Sequence, residues 1–150
     1  MDNKTLIILT FIVTGLWDVI LRFMSLNYEI LPASLQMSFV KNLAPYFEKH
    51  TLLAAALIAG FVGATTQTLI LMITPFPKSL GNIKYLINFL TVSFIISALY
   101  GFVMKWSGLF PHLEEYYYKP LGVFRSMYHD GISGLIVQIT LLLLLFTIFK

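Results

Sequence analysis

Residues 52–74, LLAAALIAGFVGATTQTLILMIT, contain no charged side chain and decide the fold. At ~1.5 Å per residue an α-helix of that length crosses a ~30 Å hydrocarbon core. A transmembrane β-strand needs only about 10 residues and alternates in polarity, whereas this run is continuously apolar. Working outward, residues 6–24, 86–104 and 132–149 repeat the pattern. The sequence therefore predicts an all-α integral membrane protein. Four transmembrane helices, at about 5–25, 51–74, 84–105 and 131–149, form an up-down bundle within a single polytopic domain over residues 1–150. Short interfacial helices are expected in the first and third loops.

Composition agrees with that class: apolar residues make up 58%, charged residues 11%, and the mean hydropathy is +0.83. A soluble domain carries roughly twice that charged share. Four crossings leave little chain for a separate soluble domain. Lys4 ahead of the first run resembles a signal-peptide n-region, but the run is long and lacks a small-residue cleavage pattern near 24–27, so a retained helix is expected. The absence of cysteine excludes disulfides, thiolate metal sites and thiol nucleophiles. A formal charge of +3 does not point to nucleic acid, because the basic residues lie singly beside apolar runs, as membrane-surface anchors do.

The two sides of the membrane are unequal. With four crossings, Lys4, Lys78, Lys84 and Lys150 share a short-loop side with Asp2 as the one acid. The long-loop side receives all three histidines, both tryptophans and the other six acids, together with Arg22, Lys41, Lys49, Lys105, Lys119 and Arg125. Basic density near helix ends favours an N-in, C-in orientation, although the raw count favours the opposite. In the first long loop Pro32 is placed to begin a helix reaching about Leu43, with Leu35, Phe39, Val40 and Leu43 on one face. In the third, Pro111 and Pro120 bracket His112, Glu114, Glu115 and Tyr116 to Tyr118.

Helices in lipid associate through small residues and polar contacts rather than through hydrophobicity. Each run has such a face: Thr10, Thr14, Asp18 and Arg22 in the first, and Ala56, Gly60, Gly63, Ala64 and Gln67 in the second. Ser93, Ser97 and Gly101 follow in the third, and Gly131, Gly134 and Gln138 in the fourth. Gln67, Asn88 and Gln138 are expected to hydrogen-bond between helices. Residues 141–145, an unbroken leucine block, should meet lipid on most sides, and Trp17 fits the interfacial aromatic belt. The same small-residue faces would also serve homodimerisation.

Two constellations carry candidate chemistry. Asp18 and Arg22 stand four residues apart on one helical face, as a structural ion pair or helix-packing lock, or as a proton, ion or substrate site. His129 and Asp130, where the fourth helix begins, form a candidate acid/base pair, with Asp130 as N-cap in the structural reading. Together these four are the candidate catalytic residues. His50, His112, Glu115 and His129, with Glu48 and Glu114 nearby, have ligand types suited to zinc, iron or manganese, yet no HExxH or paired-histidine spacing. No metal or cofactor is predicted. Lys105, Lys119, Arg125 and Tyr117 are candidates for contact with a lipid headgroup or a partner. No phosphate loop, nucleophile elbow, selectivity filter or dinucleotide fingerprint occurs.

The expected function is that of a non-catalytic multi-pass component acting in membrane structure, assembly or partner binding. Its partners would be membrane lipids, a second copy of the chain or another membrane protein, with no nucleic acid. The alternatives are a small intramembrane enzyme or lipid-binding protein centred on Asp18, Arg22, His129 and Asp130, and an oligomeric channel or transporter subunit using the Thr10 to Arg22 stripe.

Overall fold

Backbone amides inside hydrocarbon have no water to bond, so each apolar run must satisfy them within itself. The computed structural model of the protein describes residues 2–107, 119 and 122–148, and contains no strand among them. The helices are α1 (Asn3–Leu26), α2 (Ser38–Asn42), α3 (Ala44–Lys49), α4 (Leu52–Ile73), α5 (Ile83–Trp106) and α6 (Val123–Leu143). A π-helical turn, Leu144–Ile148, continues α6. Four of these, α1, α4, α5 and α6 with its extension, are long and apolar enough to span a membrane.

The helix starts have local causes. Asp2 accepts the Thr5 amide at 2.7 Å, which also holds its carboxyl below the ordinary range. Thr51 accepts the Ala54 amide at 3.2 Å, and Asn82 accepts that of Tyr85 at 3.1 Å. The fourth spanning helix departs from expectation: α6 begins at Val123, eight residues before the predicted 131, after Gly122 at φ 76°. Asp130 is therefore in the third turn of a helix and is not its N-cap. The first-loop helix is also rearranged. Two 3-10 turns, Tyr28–Ile30 and Ala33–Leu35, precede α2, and Pro45 occupies the first turn of α3. Val40, Leu43, Tyr46 and Phe47 are buried, whereas Leu35 is exposed.

Around the bundle, neighbours run α1, α4, α5, α6 and back to α1, with the tightest seams at α1/α4 and α5/α6. Both tight seams are antiparallel and built on small residues. Gly15 lies against Ala56, Gly60 against the Phe11 ring and Gly63 against Thr14. Across the second seam, Gly101 lies against Asp130, Gly131 against the Phe94 ring and Gly134 against Ser97. A Cβ at Gly60 would stand 2.9 Å from the Phe11 ring, inside ordinary contact distance. Ala64 is half-buried beside these positions.

Leu6, Val13, Val137 and Leu141 form a core where α1 meets α6, with Trp17 packed on it. The Trp17 indole N–H donates to Thr140 Oγ1 at 3.1 Å, so this tryptophan is a packing residue of the α1/α6 seam rather than part of an interfacial belt. Leu141 and Leu142 are buried, which corrects the expectation of a lipid-facing leucine block; Leu143 faces outward. Ile8, Ile12, Leu16 and Ile20 make an exposed apolar stripe along α1. In water such a stripe would be an aggregation surface, while in a bilayer it is an ordinary lipid face.

Gln138 Nε2 donates to Gln67 Oε1 at 2.5 Å, crossing the bundle from α6 to α4. Gln67 is 0% and Gln138 2% exposed, and Gln67 Nε2 and Gln138 Oε1 have no hydrogen-bond partner. Asn88, by contrast, is exposed and makes no such bridge into the core. The pair leads to a thermodynamic expectation. Gln67→Leu strands its partner's amide and should cost about 1–2 kcal/mol, whereas Gln67→Leu with Gln138→Leu should return to within about 0.5 kcal/mol of the wild type. Unfolding by SDS in mixed micelles measures both, and a double variant weaker than either single one would contradict it.

Candidate functional site

The long-loop end of α1 is where ionisable residues meet loop backbone. The last turn of a helix leaves carbonyls without amide partners, and α3 ends at Lys49 with its C-cap at His50. Arg22 Nη1 donates to Phe47 O and to His50 O, both at 2.6 Å, and its guanidinium carbon lies 5.9 Å from the centre of the Phe47 ring. One arginine on α1 thus caps α3 and pins the first long loop to the bundle. These are charge-assisted bonds in a partly buried setting, roughly twice as strong as neutral ones.

That use of Arg22 overturns the i, i+4 ion pair. Among the described residues the ion pair within 4.0 Å is Lys41–Glu29, and Asp18 and Arg22 do not form one. The physical reason is competition: the two α3 carbonyls converge on the guanidinium, and nothing in the side-chain spacing along α1 reveals them. Asp18 is half-buried one turn below, with its Oδ2 lacking a hydrogen-bond partner. Its charge reaches Tyr46, whose phenol is pushed up to about 12 by burial and then by Asp18. Tyr46 therefore stays protonated throughout the physiological range.

The His50 ring stacks on Tyr46 at 4.4 Å and 31°, and its Nδ1 lies 2.9 Å from Tyr46 O. A carbonyl only accepts, so Nδ1 carries the proton in this contact. His129 faces a different neighbour, the Phe39 ring of α2 at 4.9 Å. Asp130, one residue on, packs against the α5 backbone at Gly101. The four candidate catalytic residues do not converge as a group: Arg22 caps α3, Asp18 lies within electrostatic reach of Arg22 and of Tyr46 of α3, His129 meets α2 and Asp130 meets α5. The short helices α2 and α3 pack along α1, with Phe39 bridging from their core to His129.

The remaining candidates divide similarly. Arg125 and Lys119 are exposed, whereas Tyr117, His112, Glu114, Glu115 and the Lys105 side chain lie outside the described residues. No group of three His, Cys, Asp or Glu converges on a point among the described residues, and His50 and His129 have the different neighbours just given.

Sequence reading overlooked the parts of this end that are backbone. Phe47 O and His50 O have no signature in residue type, although Pro45 does mark the start of the helix that delivers them. It also overlooked an open groove of about 310 Å³ between the end of α1 and α2–α3, lined by Ser25, Tyr28, Glu29, Lys41, Ala44 and Glu48 among others. Comparison with known protein families, curated proteins and solved structures finds no match.

Proposed function

We propose that this chain is a non-catalytic multi-pass membrane component, acting in structure, assembly or partner binding, with both termini on the cytoplasmic side. The observation that carries this reading is the employment of Arg22, the strongest ionisable candidate, as a cap on α3 carbonyls. The separate partners of Asp18, His129 and Asp130 support it further. A packing role is also favoured over conduction by the stripe on α1. Thr10 and Thr14 donate to Leu6 O and Thr10 O of their own helix, at 2.8 and 2.7 Å, and Thr14 faces Gly63.

Phe124 and Tyr128 are exposed on α6 at the long-loop end and give reporters for a partner. A photo-cross-linking amino acid at either position is expected to yield a protein adduct of defined mass, either a second copy or another membrane protein. Adducts with lipid alone would count against the assembly reading. Orientation rests on the density of Lys4, Lys78 and Lys84 beside helix ends. The cysteine-free chain makes the check direct: an impermeant maleimide outside intact cells should label Ser34→Cys and spare Ser79→Cys, both exposed positions. The reverse pattern would put the termini outside.

A further inference from the structure

We infer that the groove between the end of α1 and α2–α3 binds the headgroup of a zwitterionic aminophospholipid, whose primary ammonium meets Glu48 and whose phosphate meets Lys41. This goes beyond the assembly role and does not depend on it.

Three observations define the ligand. The first is charge: the lining carries two carboxylates, Glu29 and Glu48, against one ammonium, Lys41. Lys41 Nζ is 3.4 Å from Glu29 Oε1, and both side chains are exposed, so it remains open to a second anion, while Glu48 forms no ion pair among the described residues. A ligand carrying one cation and one anion gives Glu48 a counter-charge, while its anion shares Lys41 with Glu29. A purely anionic headgroup meets two carboxylates for one lysine.

The second observation separates the zwitterionic headgroups. Lys41 Nζ lies 5.5 Å from the centre of the Tyr28 ring. The aromatic face a quaternary ammonium prefers is therefore already taken by a cation. Glu48 offers hydrogen-bond acceptors instead, which a primary ammonium can use and a trimethylammonium cannot.

The third is an unmet hydrogen bond. Ser25 lines the groove, is 3% exposed, and its Oγ has no hydrogen-bond partner. A buried hydroxyl left unpaired is unfavourable, and a rotamer turned toward the groove would give it a phosphate oxygen as acceptor. The location suits a lipid. Ser25 and Leu26 are the final residues of a 24-residue helix, which at ~1.5 Å per residue outreaches the hydrocarbon core and puts its end in the headgroup layer. Leu26 and Ile30, 42% and 79% exposed, provide apolar surface in the groove lining for the acyl chains.

The test is native mass spectrometry of the purified full chain with phosphatidylethanolamine, phosphatidylcholine and phosphatidylglycerol of identical acyl chains. Phosphatidylethanolamine should be retained about tenfold over the other two. Glu48→Gln, at an exposed position, should reduce that preference to about twofold or less while circular dichroism shows unchanged helix content. Lys41→Met should weaken retention of the same lipid. Equal retention of all three lipids, or a full preference surviving Glu48→Gln, would overturn the inference. So would unchanged retention in Lys41→Met, or displacement of the lipid by soluble phosphoethanolamine as effectively as by the lipid itself.

Discussion

Gly134→Ala is expected to destabilise the bundle by about 2–3 kcal/mol, a large effect for the addition of one methyl group. A Cβ built on Gly134 stands 2.5 Å from the Cβ of Ser97, which belongs to the facing helix α5. Carbon atoms rest at about 3.5–4.0 Å, so relief requires about 1 Å of movement. Rotamer changes cannot supply it, because a Cβ is fixed by the backbone. The helices must separate, loosening Gly101 against Asp130 and Gly131 against Phe94 along the same seam. Ser97→Gly should restore at least half of the loss when combined with Gly134→Ala, since it removes the opposing carbon and a hydroxyl that has no hydrogen-bond partner. Unfolding in SDS mixed micelles, followed by helical circular dichroism, gives both values. A Gly134→Ala variant within about 0.5 kcal/mol of the wild type, or no recovery in the double variant, would contradict this seam.

Arg22→Ala should release the first long loop at a cost of about 3 kcal/mol, because it removes two charge-assisted hydrogen bonds at the end of α3. The loss is local. The α1/α4 seam contains none of the atoms involved, so the four long helices should persist while amide protection across residues 38–50 collapses. Lys41 and Lys49, exposed on α2 and α3, should then become trypsin sites. Arg22→Lys keeps the charge but shortens the reach and loses the flat guanidinium beside the Phe47 ring, and intermediate protection is expected. Asp18→Asn is the discriminating control. It should leave protection near that of the wild type, and a loss equal to that of Arg22→Ala would restore an ion pair as the organising contact.

Hydropathy along the chain made the spanning helices legible because burial in lipid demands it. It misjudged the start of α6 for the same reason. Arg125, Tyr128, His129 and Asp130 lower local hydropathy, yet the helix runs through them from Val123 onward. Hydropathy measures depth, whereas helicity is set by backbone bonding that continues past the hydrocarbon boundary. The small-residue faces were visible one helix at a time. Which face meets which is a property of pairs, decided by complementary shapes such as Gly63 against Thr14 and Gly134 against Ser97.

The candidate site was less legible. Spacing put Asp18 and Arg22 on one face, which is correct for a helix, but side-chain proximity did not determine the bond. Two backbone carbonyls about 25 residues downstream won the guanidinium, and every residue type carries a carbonyl. Trp17 illustrates the converse, a residue whose usual place is the membrane surface but whose indole is spent on Thr140.

The seam pattern also has a temporal meaning. The two tightest seams join helices that are consecutive spanning segments, α1 with α4 and α5 with α6. During synthesis each hairpin can close as soon as its second helix emerges, before the rest of the chain exists, and such local closure is fast. Joining the hairpins is the later event, and Gln67 with Gln138 meets across that junction. Hairpins docked out of register would leave two amides facing hydrocarbon, so the amide pair favours the native register at this junction.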